Sequence, residues 1–201
     1  MKIYSKYIEE AVEQLSSLPG IGKKTALRLV LNILRRDSDS VELFSTAFTD
    51  MKKHVQECKV CGNISDQPMC EICADERRNH AQICVVEDIR DVMAIESTGT
   101  FKGVYHVLGG IISPMDGIGP ADLNIQSLVN RATSEVISEI IFALSPTMEG
   151  DTTNFYLYKK LGNTGIFISA LSRGVAVGTE LQYADELTLG RSLTQRQEFK
   201  G

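Results

Sequence analysis

The sequence predicts an α/β protein of several parts: a helical region first, then a four-cysteine module, then an open, mostly parallel sheet. Three observations carry this. Apolar residues recur at three- and four-residue steps through the first 55 of the 201 positions. Two Cys-x-x-Cys pairs follow, Cys58/Cys61 and Cys70/Cys73. Beyond them, short β-branched runs alternate with helical patterns, as in strands joined by crossover helices.

The elements follow in order. Ile8, Ala11, Val12, Leu15 and Leu18 line one face of a helix from Tyr7 to Leu18, ended by Pro19-Gly20, with Gly22 in the same turn. Ala26, Leu27, Val30, Leu31, Ile33 and Leu34 mark a second helix stopping near Arg36-Asp37-Ser38, and a third covers Val41 to Val55. After the cysteines, Asp75 to Gln82 reads as a charged connector. The strands expected are Ile83–Val86, Val104–Leu108 (closed by Gly109-Gly110), Glu139–Leu144 and Gly165–Ala170. Helices over Asp88–Glu96, Ile125–Ser134 and Thr152–Leu161 alternate with them. Cys84, between Ile83 and Val85, reads as an ordinary buried strand cysteine. The tail from Gly174 has the least defined pattern.

Hydrophobic content of 43% and charged content of 23% are those of a soluble globular protein. No apolar run approaches the ~20 residues that span a bilayer. The start Met1-Lys2-Ile3-Tyr4 does not resemble a secretory signal, so a cytoplasmic protein with no membrane contact is expected. Trp is absent and aromatics are 6%, which argues against extensive base-stacking surfaces. The net charge of -5 argues against nucleic acid, but its distribution does not. Residues 1–36 hold Lys2, Lys6, Lys23, Lys24, Arg28, Arg35 and Arg36 against only Glu9, Glu10 and Glu13. A basic end on an acidic body suggests a local polyanion site. A solvated helix face is the plain alternative.

Three constellations carry chemistry. Cys58, Cys61, Cys70 and Cys73 can place four thiolates around one tetrahedral Zn²⁺, a structural site because no ligand position stays open. Disulfides or unrelated buried thiols are the alternatives, and a reducing cytosol disfavours the first. The intervening residues 62–69 contain no Lys or Arg, so this loop is not expected to read DNA.

The second is Leu18-Pro19-Gly20-Ile21-Gly22, followed by Lys23, Lys24 and Arg28. Its glycines permit close backbone approach, Ile21 packs inward, and the next helix offers unpaired N–H groups and a positive dipole end to an anion. Lys24 and Arg28, four apart, share a helix face. Such a site grips phosphate without reading bases. It resembles the helix-hairpin-helix motif of many DNA-binding proteins, a plain helical hairpin being the alternative.

The third is acidic. Glu87 ends the first sheet strand, and Glu149-Gly150-Asp151 follows the third. Sites gather at such strand ends, and three converging carboxylates could hold Mg²⁺. Capping helices and solvating the sheet edge is the alternative use. The pattern resembles the Toprim domain of topoisomerases and primases, which usually carries Asp-x-Asp. A Mg²⁺-dependent nuclease or primase is therefore a rival reading, as is a zinc-stabilised interaction module without DNA affinity. No motif marks Tyr105, Tyr156, Tyr158 or Tyr183 as a nucleophile, and no Gly-rich phosphate loop with Lys-Ser/Thr is present.

Taken in order, Leu18–Arg28, Cys58–Cys73, Ile83–Asp88, Leu108–Pro120, Pro146–Thr152 and Arg173–Arg191 resemble one family along essentially the whole chain: the bacterial recombination mediator RecR. The resemblance implies a helix-hairpin-helix region over 1–55, a small four-cysteine zinc finger over 56–76, a Toprim domain over 77–173 and a Walker B-like segment over 174–201 that serves as an oligomer contact. It implies one structural Zn²⁺ per chain, a tetrameric ring, and binding of single- and double-stranded DNA. It also implies work with RecO and RecF in loading RecA at gaps, without catalytic turnover. Gly20, Ile21, Gly22, Lys23, Lys24 and Arg28 would then form the DNA contact, and Glu87, Glu149 and Asp151 the partner site. Lys23 departs from a common proline, Ala176 from another, and Thr179 from a frequent glycine.

Overall fold

The computed structural model describes residues 4–196 and 198. Lys2 and the end of the segment 174–201 lie outside the described residues. The chain divides into two compact units at Val55/Gln56.

In the first unit, helices α1 (Lys6–Ser16) and α2 (Lys23–Ile33) pack against each other. They bury Val12, Ala26 and Val30, with Ile8, Ala11, Leu15, Ile21 and Leu27 around them. Helix α2 begins at Lys23, three residues before the apolar pattern, because that pattern marks only the buried face. Helix α3 (Ser38–His54) also starts early: the Asp37 carboxylate accepts from the Ser40 N–H at 2.8 Å and caps it. None of its residues is buried.

The second unit opens with a two-stranded antiparallel hairpin, β1 (Gln56–Glu57) and β2 (Ile64–Ser65), and the short helix α4 (Glu71–Ala74). The sheet that follows is parallel throughout, in the order β4 (Gly103–Val107), β3 (Asn79–Val86), β5 (Glu139–Phe142), β6 (Phe167–Ala170). Helices α5 (Ile89–Ser97), α6 (Ile125–Ser134) and α7 (Met148–Leu161) make the crossovers. Side chains alternate along β3 as a doubly covered strand requires. Ile83 and Val85 join Leu128 and Leu157 from α6 and α7, whereas Cys84 and Val86 join Val92 from α5.

Two expectations need correction. Strand β3 starts at Asn79, so Asp75–Gln82 is a connector only as far as Arg78; the Asn79 N–H donates to the Lys102 carbonyl at 2.8 Å. Helix α7 starts at Met148 rather than Thr152, capped by the Thr147 hydroxyl, which accepts from the Gly150 N–H at 3.1 Å. The tail contains helix α8 (Glu186–Thr194), whose first turn is capped by Asp185. Among the described residues, no helix is long and apolar enough to cross a membrane.

Candidate metal centre and nucleic-acid interface

The four cysteines meet. Their sulfurs lie within 4.8 Å of one another, all four residues are buried, and Cys61 Sγ is 3.6 Å from Cys70 Sγ. A tetrahedron of sulfurs about 2.3 Å from a central zinc has edges of about 3.8 Å, so the donor set fits that ion. Local backbone bonds shape each knuckle. The Cys58 N–H donates to the Asn63 carbonyl at 2.7 Å, the Gly62 N–H to the Cys58 carbonyl at 2.9 Å, and the Cys70 N–H to the Cys58 sulfur at 3.3 Å. The thiols compete for protons: hydrogen bonding from Cys73 holds Cys61 down at about 6, and the same bond pushes Cys73 up. Burial raises Cys70 to about 11. A cation among them would favour all four thiolates at once.

This module is stitched to the edge of the parallel sheet. The Val107 N–H of β4 donates to the Cys61 carbonyl at 2.7 Å. Gly62, at φ +74°, lies where a Cβ would come 2.9 Å from the Val107 carbonyl oxygen. Asn124 Nδ2 donates to that same oxygen at 3.2 Å. The knuckle thus covers the Val107 end of the edge that β4 would otherwise expose, while the Arg131 and Arg78 guanidiniums donate to the Tyr105 and Gly103 carbonyls at 2.9 and 3.0 Å. Sequence reasoning misses both Asn124 and this contact, since nothing in a sequence marks which edge a loop will cover.

In the first unit, the Ile21 N–H donates to the Leu18 carbonyl at 3.1 Å, and Gly20 takes φ +80°. That is the type II turn expected of Pro-Gly at its centre. Gly22 does not need a left-handed backbone: its φ is -78°. Nothing lies within 4 Å of where a Cβ would stand on it, so the protein itself does not demand a glycine there. No side chain caps α2, whose first intrahelical bond runs from the Ala26 N–H to the Gly22 carbonyl. The N–H groups of the first turn are therefore free for an anion. Lys23, Lys24 and Arg28 are exposed, and among the described residues none of them forms an ion pair. Lys24 and Arg28 line one groove; Lys23 does not.

The three acids stand at the carboxyl ends of β3 and β5, neighbours where the sheet order reverses. They do not assemble as ligands. Among the described residues, the four cysteines are the one group of three or more His, Cys, Asp or Glu side chains placed to hold a metal. Glu87 is half-buried; desolvation, then the nearby Asp91 and Asp88, raise its pKa. Glu149 is exposed in the first turn of α7. Asp151 is held by Arg173 at 2.5 Å and Arg191 at 3.6 Å, and the hydrogen bond from Arg173 lowers its pKa. Gly150 between them is sterically required, because a Cβ there would stand 2.0 Å from the Ser145 carbonyl oxygen. In the sequence the two arginines are only the bounds of a similar stretch; the structure makes them partners of Asp151.

A basic helical hairpin, a four-thiol knuckle and an acid-edged parallel sheet in one chain define a multidomain protein of the helix-hairpin-helix, four-cysteine zinc-finger and Toprim kind. Family models match accordingly. They are the RecR helix-hairpin-helix over residues 8–52, the RecR four-cysteine zinc-finger domain over 55–75, the Toprim domain over 81–172 and the RecR C-terminal region over 174–197. A recombination protein RecR from Flavobacterium johnsoniae is 58% identical over 200 residues, covering 100% of this chain and 97% of its own. Those of Porphyromonas gingivalis and Bacteroides thetaiotaomicron are 55% and 56% identical, each covering 98% of this chain and 96% of its own. The chain belongs to the RecR family of recombination proteins.

Proposed function

We propose that this protein is a non-enzymatic mediator of recombinational DNA repair. It holds DNA backbone through the α1–α2 hairpin as an oligomeric ring or clamp, and with RecO and RecF assists RecA loading at gaps and single-stranded regions. One observation carries the DNA contact: Lys24 and Arg28 share a groove beside an uncapped helix start, with no acidic partner among the described residues. Gly20 sets the turn, Ile21 anchors it in the small core, Gly22 leaves room for a phosphate, and Lys23 adds charge. One such hairpin binds weakly at physiological salt, and a tetramer multiplies it by effective concentration.

Four parts divide the work: residues 1–55, 56–76, 77–173 and 174–201. One Zn²⁺ per chain on Cys58, Cys61, Cys70 and Cys73 supplies structure and no reaction step. Glu87, Glu149 and Asp151 present an acidic face to the protein partners. Mg²⁺ at these acids is the weaker assignment, because the ion would have to displace Arg173 and Arg191 from Asp151. The protein works in the cytoplasm, where its DNA and partners are.

Light scattering with and without a gapped duplex tests ring and ligand together. The reading expects an assembly of several chains that gains the mass of the DNA. A monomer under both conditions contradicts it.

A further inference from the structure

The groove that holds Lys24 and Arg28 does not end with them. Its remaining lining is Leu27, Leu31, Asn32 and Arg35. No acid lines it, and the cavity measures about 350 Å³. Lys24, Arg28, Leu31, Asn32 and Arg35 fall at helical steps along one face of α2.

Arg35 lies beyond the last residue of α2, Ile33, and the way the helix ends decides where it points. After the Leu34 N–H donates to the Val30 carbonyl at 2.9 Å, the turn tightens. The Arg35 N–H donates to the Asn32 carbonyl at 3.2 Å, and the Arg36 N–H to the Ile33 carbonyl at 3.0 Å. Three residues per turn set Arg35 over Asn32 and keep it in the groove. The same tightening sets Arg36 over Ile33, about 120° round the helix from Arg35. There its guanidinium lies 5.9 Å from the Phe44 ring centroid and lines an apolar pocket with Ile33, Leu34 and Val41. Two adjacent arginines are thus sent to different tasks. Arg35 is exposed and forms no ion pair among the described residues, so its charge is uncommitted.

We infer that Arg35 is a third phosphate contact, which extends the hairpin site into a track along α2. Eleven residues at about 1.5 Å each carry the track about 16 Å from Lys24 to Arg35. A duplex strand presents one phosphate per ~3.4 Å of axis, so the track follows several consecutive phosphates of one strand. The ligand class is a nucleic-acid backbone, because the charges lining the groove are all Lys and Arg, which hold phosphate without carrying sequence information. The inference rests on the reading of the hairpin as the DNA contact.

The test uses the full chain and a labelled duplex with a single-stranded tail, titrated between ~50 and ~200 mM salt. Arg35→Ala should weaken binding roughly threefold to tenfold and lower the slope of log K against log salt by about one per engaged chain. Arg35→Lys should keep the slope, which separates a charge contact from a folding defect. Arg36→Ala should leave the slope unchanged. If Lys24→Ala with Arg28→Ala loses affinity while Arg35→Ala matches the unaltered protein, the track is wrong and the hairpin reading survives. If none of the three substitutions alters binding, the hairpin reading falls and takes the track with it.

Discussion

Gly20 and Gly22 stand two residues apart, yet they are glycines for different reasons. At φ +80° with open space around it, Gly20 is fixed by backbone conformation alone. Gly20→Ala should therefore cost about 1–2 kcal/mol of stability in the first unit, visible in a thermal or denaturant melt. Gly22, at φ -78° and equally open, should tolerate Ala at no more than the cost of a poorer helix N-cap, on the order of 0.5–1 kcal/mol, while on the proposed reading losing affinity for DNA, because the added methyl would stand where the phosphate approaches. His106 makes a separate prediction. Fully buried, it donates from Nε2 to the Asn124 carbonyl at 2.8 Å, while its Nδ1 faces the Arg131 guanidinium at 3.4 Å. Burial holds its pKa down at about 4. Below about pH 6.5 the unfolded chain takes up a proton there that the native chain refuses. Stability should thus fall from about pH 6.5 towards 4, by up to about 3 kcal/mol from this group. His106→Gln should flatten that fall, which melts across the pH range will show.

Between elements, the metal module and strand β4 are joined by a backbone hydrogen bond. Removing the metal should release the knuckle and with it the bond from the Val107 N–H to the Cys61 carbonyl. Hydrogen exchange after chelation should speed up at Val107 first, while Ile83 in the inner strand β3 keeps its protection. Equal exchange at both would mean that the whole sheet depends on the metal. The tail is tied differently. No described residue from 171 onward is buried, and Arg173 and Arg191 reach Asp151 of α7. Such a charge latch is screened by salt. Arg173→Ala with Arg191→Ala should make protease cleavage after residue 174 faster at low salt, with little further effect of added salt. These arrangements show what the sequence allowed to be read. Helix α6 was legible to the residue because Ile125, Leu128 and Ala132 alternate with polar positions. The start of α7 was not, because Pro146 and Gly150 resemble breakers. Gly150 is helical all the same: the Thr147 cap starts the helix before it, and it is a glycine because the Ser145 carbonyl leaves no room for a side chain. The cysteine cluster was legible because its ligands are close in sequence. The arginine partners of Asp151 lie 22 and 40 residues away, and no local pattern points to them.

At the scale of the molecule, an acidic protein can hold a polyanion only if its positive charge is gathered. With a net charge of -5, the protein would do so, on the proposed reading, through the basic groove of α2. Repetition of that groove in the proposed oligomer would turn a salt-weakened contact into a usable one. The most direct measurement is the affinity of the protein for a gapped duplex over a salt series, with and without Lys24→Ala and Arg28→Ala together. The account predicts weaker binding and a shallower salt slope for the double substitution, by about two per engaged chain. Identical affinity and slope for the two proteins would contradict it.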